Sequence, residues 1–251
     1  MLFGILLAAL GGLVAGSLAD TLALRWAGER PLRARFRCPR CEHPLGRRDL
    51  VPVVSWLHLH GRCRTCEEPI ARRYPLVEAG TAALFAAVVL ARHDDDGAQL
   101  VLGLVLVAVL VALALIDLDT LLLPNRILLA GAVAALALGT LLDPSGELQR
   151  LLAGLLAGGF FLLAALAYPR GMGLGDVKLA AVLGLFLGRE VAAALAFALV
   201  AGVLVGVVIM RRKGIAEGRR EGMAFGPFLA LGGVFALLFG EAIVDAYVGT
   251  F

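Results

Sequence analysis

The chain carries little net charge: 23 lysines and arginines against 20 acids leave +3. Nucleic-acid binding rests on neutralising many phosphates, and an excess this small is too little to imply it, so no nucleic-acid partner is expected. Cysteine is scarce too. Four cysteines in 251 residues fall far below the density of a disulfide scaffold, and because they come as two close pairs they point first to a metal. No internal repeat or low-complexity tract stands out, and no glycine-rich nucleotide loop is present. Met1 to Leu24 has no basic region before it and is too long for a signal-peptide core, so it reads as a retained first membrane span.

What the chain has in quantity is apolar sequence. It is 60% hydrophobic with a mean hydropathy of +0.89, where a soluble domain would be near half apolar. Runs long enough to cross a ~30 Å hydrocarbon core occupy about 2–24, 75–91, 99–116, 124–142, 150–168, 191–210 and 223–246, and a short one occupies 177–188. The fold class expected is an all-α polytopic membrane protein of about eight transmembrane helices. Basic residues sort sharply between the two sets of connectors. Residues 25–73 hold twelve arginines, and 117–126, 169–178 and 211–222 hold eight more lysines or arginines, whereas Arg92, Arg150 and Arg189 supply the other side. The positive-inside rule puts the N-terminus outside, residues 25–73 in the cytoplasm and the C-terminus outside. Three units follow: a first helix at 1–25, a cytoplasmic four-cysteine zinc-binding domain at 26–73, and a membrane domain of about seven helices at 74–251.

The cysteines read C-x2-C-x21-C-x2-C, from CPRC at 38–41 and CRTC at 63–66. Each pair brings two thiolates onto one turn, and two such knuckles complete a tetrahedral site in Cys38, Cys41, Cys63 and Cys66. Four sulfurs leave no open position, so the metal expected, zinc, is structural. A redox role for one pair is the rival reading. His43, His58 and His60 lie nearby as surface or packing residues.

Acids matter most where water is absent. The third long run ends in ALIDLDTLLLPN and the short sixth begins in GMGLGDVKL, which places Asp117, Asp119 and Asp176 at the cytoplasmic membrane boundary. A carboxylate at mid-helix in a bilayer costs ~2.5–3.5 kcal/mol on insertion scales, so each calls for a function. Asp117 and Asp119 lie about 200° apart around a helix and cannot face one partner. If one meets Asp176, the pair holds a single proton, polarises a water and protonates a carbonyl, which is peptide hydrolysis without a metal. Gly173 and Gly175 offer backbone freedom and close approach to a peptide. Against this stand an ordinary helix N-cap for Asp176 and a solvated helix end for Asp117 and Asp119. Glu78 could support the site, Lys178 snorkels or pairs with an acid, and Asp94, Asp95 and Asp96 are solvated in an external loop.

Taken together, GSLADTLALR (16–25), the cysteine pairs flanking DLVPVVSWL (49–57), RRYPLVE (72–78), IDLDTLLLPN and GMGLGDVK resemble the type IV prepilin peptidases, membrane aspartic proteases of the G-x-G-D class. The match runs through roughly residues 10–180; the last two spans match only in being apolar. The resemblance implies that Asp117, seven positions before Pro124, and Asp176 are the catalytic pair, with Asp119 a neighbour. It implies cleavage of the basic leader of prepilins or pseudopilins after a glycine at the cytoplasmic face of the inner membrane. It further implies methylation of the new amine with S-adenosylmethionine, although no residues for that cofactor are identified. Asp20 departs from the family's asparagine in G-S-x-x-N. Two other readings are a membrane scaffold whose zinc knuckle docks a cytosolic partner, and a transporter using intramembrane acids; the acids cluster at one face, against the transporter. No oligomeric state follows from the sequence.

Overall fold

The structure, a computed structural model, describes residues 1–28, 38, 40–93, 97–168, 172–213 and 224–249. Asp94–Asp96, Gly171 and part of the arginine-rich block lie outside them. Nine α-helices appear among the described residues: α1 Leu2–Ala27, α2 Val54–His58, α3 Arg73–Ala91, α4 Gly97–Thr120, α5 Asn125–Leu142, α6 Glu147–Ala167, α7 Leu174–Leu187, α8 Val191–Lys213 and α9 Gly226–Val248. No strand is present among those residues, and the cysteine pairs lie between α1 and α3.

Seven helical runs are long and apolar enough to cross a membrane, the sixth being the 39-residue stretch Leu174–Arg212. At ~1.5 Å per residue it would reach ~58 Å as one helix, about twice what a single crossing needs. It is broken instead. Gly188 takes φ +55, a left-handed setting that glycine adopts without strain, and a 3-10 turn over Gly188–Glu190 separates α7 from α8. The short helix expected from sequence is therefore α7, 14 residues long and ~21 Å in reach. It starts at Leu174, three residues earlier than the apolar run suggests, because its first turn is polar.

The bundle is apolar outside as well as inside. Leu10, Leu141, Leu155 and Leu163 are 61%, 78%, 72% and 69% exposed, a surface suited to lipid and not to water. With hydrocarbon on both sides there is little hydrophobic drive between helices, so packing falls to small residues that let backbones close up. α1 meets α3 through Gly12 and Gly16, spaced as G-x-x-x-G: a β carbon at Gly12 would come within 2.6 Å of Ala82 Cα, and one at Gly16 within 2.9 Å of Glu78 Cα. α6 meets α7 through Gly154, Gly158 and Gly184, and α8 meets α9 through Gly232. α4 is the hub, touching α1, α3, α5, α7 and α9, and Leu106, Val107, Leu113 and Ile116 along it are fully buried.

A β carbon at Gly184 would stand 2.5 Å from the Gly154 Cα and 2.6 Å from the Ala153 carbonyl carbon. Backbone cannot swing aside as a side chain does, so Gly184→Ala should push α6 and α7 apart and cost about 1–3 kcal/mol. Thermal unfolding in detergent micelles would read this as a Tm several degrees below wild type.

At the end away from Asp176, buried arginines are paired. Arg92 binds Glu190 and the Leu237 carbonyl, and Arg150 binds Asp143 and Glu147. A cavity of about 230 Å³ opens there, lined by Arg92, Gln99, Arg150, Glu190 and Glu241 among others. Leu187, on its wall, lies eleven residues along α7 from Asp176, or ~17 Å.

Candidate active site

Helix α4 stops just beyond Asp117. Leu121 takes φ +54, donates its N–H to the Asp117 carbonyl at 2.8 Å and turns the chain toward Pro124, which starts α5. The Asp117 side chain is 5% exposed. Its Oδ2 accepts from the N–H of Gly226, the first residue of α9, at 2.9 Å. The first N–H groups of a helix have no partner within it, and one of them here finds a carboxylate 109 residues away. A β carbon on Gly226 would lie 2.6 Å from that oxygen, so only glycine permits the approach.

Asp176 is the third residue of α7. Gly173 is the N-cap, at φ −81 and ψ 148; its N–H donates to Asp176 Oδ2 at 3.3 Å, and its carbonyl accepts from the Asp176 N–H at 3.1 Å. Asp176 therefore takes part in capping, as the bland reading of the sequence has it, from N3 and not from the cap position. It is 9% exposed. The first turn of α7 docks on the α4–α5 link: Gly175 sits against Leu123, where a β carbon would come within 2.9 Å of Leu123 Cβ, and Lys178 Nζ donates to Asn125 Oδ1 at 2.7 Å. This docking brings Asp176 within electrostatic reach of Asp117, two buried acids from separate helices at one end of the bundle.

Neither glycine uses the backbone freedom expected of it. Gly173 has ordinary extended backbone and Gly175 is helical, so neither needs glycine's conformational freedom; Gly175 is small because Leu123 fills the space in front of it. Lys178 pairs with an amide. Glu78 is buried, and its Oε2 accepts from the Val53 N–H at 2.7 Å, so it fastens the cysteine segment to α3. Asp119 points away from Asp117, as the 200° separation requires, into a two-pronged ion pair with Arg73 at 2.7 and 2.6 Å.

Arg73 is not singled out by the sequence, and its second partner, Asp20, stands out there only as a departure from the family's asparagine. Its Nε donates to Asp20 Oδ1 at 2.9 Å, so one guanidinium ties α1, α3 and α4 together beside the helix ends. Asp20 is 1% exposed, and its Oδ2 has no hydrogen-bond partner. Gly226 was missed as well. The available signal was FGP at 225–227, a glycine and a proline where a helix begins.

The four cysteine sulfurs lie within 4.8 Å of one another, and none of the nearby histidines joins them. Cys38 and Cys66 are 3.7 Å apart and Cys41 and Cys63 4.0 Å. Sulfurs at ~2.3 Å from a tetrahedral ion stand ~3.8 Å from one another, so the cluster fits a metal. Its two halves are built alike. The N–H of Cys38 donates to His43 O and that of Cys63 to Glu68 O; Glu42 N–H returns to Cys38 O and Glu67 N–H to Cys63 O. Glu42 and Glu67 occupy the same left-handed setting, φ 55 and 56. The thiols do not ionise alike. The backbone N–H groups of Cys41 and Arg40 hold Cys38 down to about 6. The Glu68 N–H works the same way on Cys66, but burial and its bonds to the other sulfurs push it up to about 12. A cation among them is what allows all four to ionise.

A chain of apolar helices with a buried acid pair at one end and a four-cysteine knuckle beside it defines a polytopic membrane protein with a candidate hydrolytic centre. Residues 10–92 match the bacterial peptidase A24 N-terminal domain and residues 104–210 the type IV leader peptidase family. The chain is 38% identical over 226 residues to the prepilin leader peptidase/N-methyltransferase of Aeromonas salmonicida (strain A449), covering 86% of this chain and 75% of that one. It is 35% identical over 243 residues to the protein of that name from Bacillus subtilis (strain 168), covering 94% and 95%. The protein of that name from Burkholderia pseudomallei (strain K96243) is 40% identical over 216 residues, covering 82% and 67%. No solved structure matches the chain. The chain belongs to the type IV leader peptidase family and is a multi-pass membrane peptidase of the prepilin-processing class, which sets the non-enzymatic scaffold aside.

Proposed function

We propose that the chain cuts the basic leader from type IV prepilins or pseudopilins after a glycine, on the cytoplasmic side of the inner membrane, with Asp117 and Asp176 as the catalytic pair. The observation that carries this is their placement: two carboxylates, each more than nine-tenths buried, at the ends of separate apolar helices at one end of the bundle, with the charge of Asp117 felt at Asp176. Two acids in so dry a site share one proton. The ionised one takes a proton from water as the water oxygen attacks the scissile carbonyl carbon, and the other donates its proton to the carbonyl oxygen. Collapse of the resulting diol breaks the C–N bond, and a proton passes to the leaving amine. Asp119, bound to Arg73, positions the end of α4 and stays out of the chemistry.

The orientation rests on the arginine count: the end bearing Asp117, Asp176 and the knuckle faces the cytoplasm, and the N-terminus lies outside. Residues 1–25, 26–73 and 74–251 act as first span, four-cysteine domain and peptidase bundle. Zinc is the ion the cysteines would hold, since four thiolates in tetrahedral array select it and leave no open position. Its part is structural. Purified protein should carry about one zinc per chain, and Cys63→Ser should lose it. Amide exchange over residues 40–70 should then rise at least tenfold while α4 to α9 stay protected; unchanged protection would remove the staple from the argument.

The relatives' names add N-methyl transfer, and the acceptor we assign is the new amine. S-adenosylmethionine supplies an electrophilic methyl group for it. The cavity at the far end of α7 does not fit as its site, being ~17 Å along the helix from Asp176, and no residues are assigned to the cofactor. The test of both activities is one incubation of the reconstituted protein with a peptide carrying a basic leader, a glycine and an apolar helix, with and without S-adenosylmethionine. Mass spectrometry should show cleavage after the glycine in both and a gain of one methyl only with the cofactor. An intact peptide would overturn the reading.

A further inference from the structure

Between the two cysteine knuckles the chain turns apolar side chains outward. Leu50, Val51, Val54 and Leu57 are 40%, 43%, 60% and 60% exposed, and four such neighbours on one small segment mark a contact surface. The segment is braced from behind. Trp56 turns inward, its Nε1 donating to the Ile70 carbonyl at 3.2 Å. Its ring lies so close to Gly61 that a β carbon there would come within 2.7 Å. The Ile70 N–H donates back to Gly61 O at 2.7 Å. The outward residues thus form a ridge on a fixed plate.

The height of the ridge is set by one bond. Val53 donates its N–H to Glu78 Oε2 at 2.7 Å, and to do so it takes φ +60, a setting β-branched residues resist. Glu78 is buried in α3, five residues beyond Arg73, where that span begins. Five helical residues rise ~8 Å, so the bond ties the ridge to the first turns of that membrane span. The lipid-facing belt of α3 starts at that level, with Leu76 69% exposed. Twelve arginines against five acids over residues 25–73 give this part of the sequence the charge that anionic headgroups seek.

We infer that residues 50–57 are a membrane foot: Leu50, Val51, Val54 and Leu57 enter the bilayer interface, and the net positive charge of this part of the sequence draws anionic headgroups. The occupant of the surface is lipid. The foot presses the four-cysteine domain onto the membrane beside the ends of α3 and α4, and it follows from geometry independent of the catalytic assignment.

The full-length protein in nanodiscs of phosphatidylcholine and phosphatidylglycerol gives the test. Leu57→Trp, and separately Val54→Trp, adds an emitter to the two native tryptophans, and the difference spectrum against wild type isolates it. With acyl chains brominated at carbons 6 and 7, the added emission should fall at least twofold. Bound zinc and wild-type Tm certify the fold of each variant, and with two positions the result does not hang on one. Added emission equal in brominated and plain lipids overturns the foot. So does emission rescued from quenching by excess leader-bearing peptide, which would make the ridge a substrate dock.

Discussion

Asp176→Asn and Asp117→Asn should each lower the rate of leader cleavage by about a thousandfold or more, with the protein still inserted and folded. The magnitude follows from the proposed role: a positioned acid or base supplies ~10²–10⁴ in rate, and under that proposal a pair sharing one proton has no half-working form. The double variant should therefore be no slower than either single one, beyond a few-fold, because residues acting as a unit are not additive. Folding should survive, since an amide is nearly the shape of a carboxylate and its oxygen still accepts from Gly226 or Gly173. Asp119→Asn is the discriminating control. It weakens an ion pair whose partners are 33% and 23% exposed, an interaction of less than ~1 kcal/mol after solvent screening, and cleavage should stay within about tenfold of wild type. Peptide turnover by mass spectrometry, beside Tm and zinc content, reads all four proteins. An active double variant would remove the acid pair from the mechanism, and an Asp119→Asn protein as dead as Asp176→Asn would shift it to the wrong acid.

The membrane class and the placement of the helices were legible because the bilayer acts on composition: a run must be apolar and of a certain length whatever its neighbours do. The cysteine knuckles were legible for a similar reason, since C-x-x-C ligation is settled within one turn. Asp117 and Asp176 stood out because an acid in such sequence is costly. Pairing was not legible. Arg73 meets Asp20 and Asp119 across 53 and 46 residues, and any arginine near the boundary would have read the same. Glu78 looked like a second-rank member of the acid site, yet its partner is a backbone N–H in the cysteine segment, which no side-chain pattern announces. Arg92 and Arg150 entered the reading only as charges to be counted across the membrane, whereas each is buried in an ion pair that joins helix ends. G-L-V-A-G at 12–16 did carry a readable signal, small residues four apart in an apolar run, and the α1–α3 contact uses it.

Gly226→Ala should cost activity out of proportion to stability. Its β carbon would stand 2.6 Å from Asp117 Oδ2, 3.1 Å from Cγ and 3.3 Å from Cβ, overlapping the whole carboxyl group. A side chain can give way where backbone cannot, so Asp117 turns aside and the helices stay packed. In turning it leaves the Gly226 N–H and the position from which it faces Asp176. Displacement of a reacting group by about 1 Å can cost ~10²-fold in rate, and kcat should fall at least that far while KM for the leader peptide moves little. Gly232 in the same helix supplies the contrast. A β carbon there would come within 2.2 Å of the Ala194 carbonyl oxygen on α8, six residues or ~9 Å along α9 from Gly226, so Gly232→Ala should lower Tm first and kcat only through loss of folded protein. If the N–H of Gly226 were incidental, the two variants would behave alike, each losing activity in step with stability. A drop in kcat for Gly226→Ala at wild-type Tm is what a carboxylate held in place by the start of α9 requires.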